Sequence, residues 1–189
     1  MSDSSSKDDC IESRVASLLE ESLSEWFHLE SKNILSGVSE RNLCGGLAIV
    51  FSQKLLPHGF GKYHADLEYN RKQNGEIKTI LDDKHTVVTI NCDLIVHSRG
   101  ESISHDNLIA IEMKKSNRSA AEKDSDRFRL RALTKGSYDG VWSNNGRAHP
   151  EHVCGYKVGL YLEVNRRARR CLLEYYHRGC LSTARVQAL

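Results

Sequence analysis

Two short segments of the chain carry side chains whose types and spacing could do chemistry. One is Asn91-Cys92-Asp93-Leu94-Ile95-Val96-His97. The other is Asn107-Leu108-Ile109-Ala110-Ile111-Glu112-Met113-Lys114-Lys115. Read as a strand, the second segment puts Glu112 and Lys114 on one face and turns Ile111 and Met113 to the other. Pairing with the neighbouring strand lets Asp93 lie across from Glu112. Carboxylates and an ammonium at the end of an apolar strand are costly to desolvate, and facing carboxylates repel. A divalent cation relieves both problems, and hard oxygen ligands suit Mg²⁺, with Mn²⁺ as a substitute. Beside such an ion, Lys114 would hold or help deprotonate an attacking water. The ion would polarise a phosphoryl oxygen and stabilise charge on the leaving oxygen.

The competing reading is a surface strand with an ordinary Glu-Lys ion pair, an arrangement worth little. It requires polar residues to alternate along the whole strand. Leu108-Ile109-Ala110-Ile111 does not alternate, so the strand is expected to be buried on both sides.

The surrounding elements follow from periodicity. Ile11, Val15, Leu18, Leu19, Leu23 and Trp26 share one face of a helix over 11–29. Ser36 to Ser39 reads as a break, with Ser39 the N-cap of a second helix over 40–56. Its Gly45-Gly46 pair lowers helix propensity but would let the helix approach a sheet closely. Pro57-His58-Gly59 ends it. Strands are predicted at 63–69, 86–90, 93–97, 108–113 and 158–164, with a hairpin-type link over 98–106. Residues 119–134 read as a charged helix capped by Ser119, and 137–151 as an irregular loop. Residues 167–178 read as a final helix within a basic tail. The order helix, helix, strands, helix, strand, helix predicts an α/β fold, a mixed central sheet flanked by helices.

The 189 residues suit one domain. Residues 1–9, Ser- and Asp-rich, are expected to be disordered. The rest divides into a helical extension (10–35), a core (39–163) and a basic C-terminal helix and tail (165–189). No apolar run approaches bilayer length, and no basic-then-apolar leader opens the chain. A cytoplasmic protein without a membrane partner is therefore expected. The six cysteines include no C-x-x-C pair and are expected to be reduced thiols. Net charge is only +2, so global charge says little about partners. The tail is locally basic, with Arg166, Arg167, Arg169, Arg170, Arg178 and Arg185. It could touch phosphates or simply be a solvated helix face.

At Asp93 and Glu112-Met113-Lys114 the sequence resembles the PD-(D/E)XK nuclease superfamily. In that restriction-endonuclease-like fold an acid opens one strand and (D/E)-x-K follows on the next. Asp66-Leu67-Glu68-Tyr69-Asn70-Arg71 and Lys115-Ser116 are similar to small uncharacterised bacterial members. The resemblance spans about residues 39–163 and is firmest from Asp66 to Ser116. It implies a restriction-endonuclease-like core and a metal held by Asp93, Glu112 and the Met113 carbonyl. Lys114 would be the catalytic lysine, and Glu40 a further acid on the helix before the sheet. It also implies Mg²⁺-dependent hydrolysis of nucleic acid, DNA before RNA, by a homodimer or a subunit of a larger complex. The sequence departs from the pattern at Cys92, where a Pro is usual, and at Gly45-Gly46 in the helix carrying Glu40.

Other residues have two readings. Arg71, Lys115, Ser116 and Arg118 are candidate nucleic-acid contacts, although Ser116 to Arg118 could equally lead into the next helix. Glu68 is left open between a second metal and no chemistry, while Tyr69 reads as packing and Asn70 as shaping a turn. His97 either lines the cleft or is a hydrogen-bonded histidine. His149, His152 and Cys154 have the look of half a zinc site without a fourth ligand, so a metal-free loop is the favoured reading. Asp124, Asp126, Arg127 and Arg129 read as a solvated helix face. The functional alternative is a catalytically silent nuclease fold acting as a binding or regulatory subunit.

Overall fold

The computed structural model describes residues 3–69, 79–81, 87–89, 92–102, 105–136 and 154–189. Side chains are described within these from residue 10 onward, outside 79–89. Two long helices open the chain, α1 (Asp3–Ser36) and α2 (Glu40–Leu55). Their cause is the apolar stripe seen in the sequence. Val15, Leu18, Leu19, Leu23 and Trp26 on α1, and Leu43, Leu47, Val50 and Phe51 on α2, are all buried. Helix α1 begins inside the stretch expected to be disordered and runs past the expected end at 29. Extending an anchored helix needs no new nucleus, so polar residues can add turns at little cost. Gly37 (φ +86) stops it, its N–H donating to the Asn33 carbonyl at 3.1 Å. Ser39 then caps α2 as read from the sequence, its side chain accepting from the Asn42 N–H.

Helix α1 is no appendage: its buried residues belong to the same core as the sheet. Trp26 links the layers, fully buried and donating through Nε1 to the Leu43 carbonyl at 3.1 Å. Trp26→Ala is expected to cost about 3–5 kcal/mol in a urea unfolding curve. A change under about 1 kcal/mol would show that the two helices do not share one core.

The glycine pair has a different use from the one expected. A Cβ on Gly46 would sit 2.7 Å from Glu30 Oε1 on α1, whereas one on Gly45 would meet Leu67 at an ordinary 4.0 Å. Gly46 thus makes room for the Glu30 side chain of α1 rather than for the sheet.

The strands are β1 (His64–Leu67), β2 (Thr79–Leu81), β3 (Val87–Thr89), β4 (Leu94–His97), β5 (Asn107–Lys115), β6 (Val158–Asn165), β7 (Arg170–His177) and β8 (Cys180–Ala188). Helix α3 (Ala120–Thr134) lies between β5 and β6. Six strands form one mixed sheet in the order β1-β4-β5-β6-β7-β8, and β2 pairs only with β3. β5 and β6 run parallel and are joined through α3, and the other neighbours are antiparallel. Helices α1 and α2 cover one face, and α3 covers part of the other, where Leu130 and Leu133 join a second cluster. The α/β architecture with a mixed sheet between helices is as the sequence predicts.

The expected C-terminal helix over 167–178 is instead a hairpin of β7 and β8. Cys171 and Leu173 bury toward the α1 side and Tyr176 toward the α3 side, so β7 is covered on both faces. Arg178 (φ 48) and Gly179 (φ +80) both take positive φ, the geometry of a two-residue turn matched to strand twist. The arginines of the tail thus fall in the β6–β7 turn (Arg166, Arg167, Arg169), at the β7–β8 turn (Arg178) and on strands (Arg170, Arg185). Arg166 donates to the Ser36 carbonyl, and Arg185 pairs with Glu20.

Among the described residues no helix is long and apolar enough to cross a membrane. All six cysteines are free, with Cys44, Cys92, Cys154 and Cys171 buried.

Candidate functional site

The pairing of β4 with β5 sets Leu94 against Ile111. One step further along the same antiparallel register, Asp93 faces Glu112. β5 is buried continuously from Leu108 to Met113, which removes the surface-strand reading. Glu112 and Lys114 point to the α3 side with Asp93, and Ile111 and Met113 enter the core beneath α1 and α2. Asp93, Glu112 and Lys114 therefore share one face of the sheet.

Their surroundings are strongly polarised. Glu112 is wholly buried, and its Oε1 accepts from Arg129 Nε at 2.8 Å. Its Oε2 is buried with no donor facing it. Asp93 Oδ2 accepts from the Met113 N–H at 2.8 Å. Burial, reinforced by the Asp93 charge, pushes the Glu112 carboxyl up to about 8 despite Arg129. Burial also raises Asp93, whose carboxyl lies within hydrogen-bonding reach of that of Glu112. Two carboxyls buried this close together favour keeping a proton between them. Lys114 Nζ lies 3.0 Å from Asp126 Oδ2. Burial alone would lower the lysine, but the Asp126 pair outweighs it and the ammonium is held charged.

Glu40 stands apart. It opens α2, on the other side of the sheet, where its Oε1 accepts from the Lys115 N–H at 2.8 Å and from Arg118 Nε at 3.2 Å. Among the described residues, no three His, Cys, Asp or Glu side chains come together closely enough to hold a metal ion. Two carboxylates are what the chain brings together at Asp93 and Glu112.

Lys115 and Ser116 line a separate cleft of about 710 Å³ with Asn117 and Arg166 on the α1–α2 side. Lys115 Nζ is spent there on the Gly37 carbonyl at 3.0 Å. Arg71, Asn70, His149 and His152 lie outside the described residues. Glu68 pairs with Arg41, and Tyr69 packs on the His97 ring at 4.8 Å. His97 is a hydrogen-bonded core histidine, 3.0 Å from Asp66 Oδ2, and Arg99 holds the same carboxylate through two bonds. That pairing outweighs burial and keeps Asp66 far below the usual carboxylate range.

The expectation that α3 presents a solvated face is overturned. Asp126 is 2% exposed and Arg129 reaches Glu112. Arg127 pairs with Glu174 at 2.8 Å and stacks over the Tyr161 ring. Only Asp124 of the four is mostly exposed. The sequence did hold a signal: Asp126 falls in helical phase with Leu130 and Leu133, so it sits on the stripe that must be buried. Ser119 sets that phase through a reciprocal capping box with Glu122.

The class defined so far is a mixed α/β protein with an acidic pair, Glu112 buried and Asp93 partly so, and a lysine on one sheet face. The chain matches no family model, no curated protein and no solved structure.

Proposed function

We propose that this chain is a metal-dependent nuclease of PD-(D/E)XK type, hydrolysing phosphodiester bonds of nucleic acid, DNA before RNA. The observation that carries this reading is the buried Glu112 Oε2, which has no donor and lies beside the Asp93 carboxyl, with Lys114 two residues on. Once the proton shared with Asp93 is lost, a buried carboxylate oxygen without a donor calls for a cation. The donor set fits a hard ion, Mg²⁺ or Mn²⁺, held by Asp93, Glu112 and the Met113 carbonyl. Such an ion supplies Lewis acidity toward a phosphoryl oxygen and toward the water that attacks it. Lys114, charged and partly exposed, donates to a phosphoryl oxygen or orients the water. Glu40, tied to Lys115 and Arg118, holds the end of β5 from beneath. The restriction-endonuclease-like core belongs to this proposal, supported by the β1-β4-β5 antiparallel run with β6 parallel to β5 through α3.

A second reading has its own observation. Arg129 and Asp126 already pair with Glu112 and Lys114, an internally neutralised arrangement that suits a silent binding subunit. Incubation of purified protein with plasmid and single-stranded DNA and RNA, with Mg²⁺, Mn²⁺ or EDTA, separates the two. Metal-dependent cleavage lost in Lys114→Ala supports the nuclease. Nucleic-acid binding with neither cleavage nor Mn²⁺ uptake supports the silent subunit.

A further inference from the structure

We infer that α3 supplies two positioning residues to this site: Arg129, which fixes Glu112, and Asp126, which fixes Lys114. The inference deepens the nuclease reading and rests on it. A continuous path of charge carries it. Glu112 Oε1 takes Arg129 Nε at 2.8 Å, Arg129 Nη2 reaches Asp126 Oδ1, and Asp126 Oδ2 stands 3.0 Å from Lys114 Nζ. Signs alternate along the path, and each contact uses an atom that the next one leaves free.

The geometry is selective. Arg129 occupies only Oε1 of Glu112 and so leaves Oε2 without a donor, buried beside the Asp93 carboxyl. A lysine stem has four rotatable bonds, and a single buried partner removes most of that freedom. Asp126, at 2% exposure, is itself locked by packing and by Arg129. These are the marks of groups that orient others rather than touch a substrate. Their alternative, a purely structural ion pair, leaves the Oε2 orientation without a use.

The test uses the full chain as wild type, Asp126→Asn, Asp126→Glu and Arg129→Ala. Four quantities are read: Mn²⁺ affinity by calorimetry, kcat and KM for plasmid nicking, acetylation of Lys114 by acetic anhydride followed by mass spectrometry, and fraction folded by circular dichroism. Asp126→Asn is expected to lower kcat about 10–100-fold with KM and Mn²⁺ affinity little changed, and to raise Lys114 acetylation several-fold. Asp126→Glu is expected to recover part of kcat and of the protection. Arg129→Ala is expected to weaken Mn²⁺ binding about ten-fold. Unchanged Lys114 acetylation in Asp126→Asn overturns the inference. So does a loss of kcat that only tracks the folded fraction and is not eased by Asp126→Glu. Wild type that neither binds Mn²⁺ nor nicks DNA removes the nuclease reading, and the labelling of Lys114 then decides alone whether α3 sets that side chain.

Discussion

Metal-free protein is expected to lose on the order of 3 kcal/mol of stability between about pH 5 and about pH 8, and Glu112→Gln to remove most of that loss. The Glu112 carboxyl rises from its ordinary 4.5 to about 8 in the folded chain because it is fully buried beside Asp93. A raised acid favours the protonated fold. Its contribution is complete below the unfolded value near 4.5 and disappears as pH climbs through about 8. Each unit of separation is worth about 1.4 kcal/mol, which sets the size. Asp93, also raised, adds in the same sense. Asp66, lowered by His97 and Arg99, stabilises throughout this window and weakens only in stronger acid. The glutamine amide keeps an oxygen for Arg129 and offers a donor toward Asp93, without a charge to bury. Urea curves in EDTA at several pH values read the effect. A wild-type curve flat over this range would mean that Glu112 is ionised when folded and that the paired-proton picture is wrong. Added Mn²⁺ should raise the melting temperature more at pH 8 than at pH 6, because at the lower pH it must displace that proton.

The second large effect belongs to the proposed nuclease activity. Glu112→Gln and Lys114→Ala should each reduce Mn²⁺-supported plasmid cleavage at least about a thousand-fold, since polarising a phosphoryl group is worth several kcal/mol. Glu40→Gln should lose far less, because that side chain serves Lys115 and Arg118 on the other side of the sheet. Equal loss in all three variants would bring Glu40 back into the reacting centre. Full activity in Glu112→Gln would place the chemistry elsewhere.

Much of this site was legible from residue spacing alone. A strand alternates with period two, so Glu112 and Lys114 had to share a face, and antiparallel pairing could bring Asp93 to that face, as the register does. Both N-caps were equally readable, because Ser39 and Ser119 each act within three residues of themselves. What escaped was long-range or two-faced. Arg129 and Asp126 meet Glu112 and Lys114 only once α3 folds back over β5, and local spacing does not encode that crossing. The β7–β8 hairpin escaped because β7 carries apolar residues on both faces and β8 is exposed on both, so neither shows a clean alternation. Leu172, Leu173, Tyr175 and Tyr176 then mimic a helical stripe, and Arg178-Gly179 was the overlooked punctuation.

The capping box at Ser119 bears on how this chain tolerates changes of length. Asp126 and Arg129 are three apart on a helix, and their partners Lys114 and Glu112 are two apart on a strand, so the two rows mesh at one angular setting of α3. A residue gained or lost between the Ser119 cap and Asp126 would turn the rest of the helix by about 100° and unmesh both rows together. Homologous chains that keep the four side chains should therefore conserve the length of that stretch.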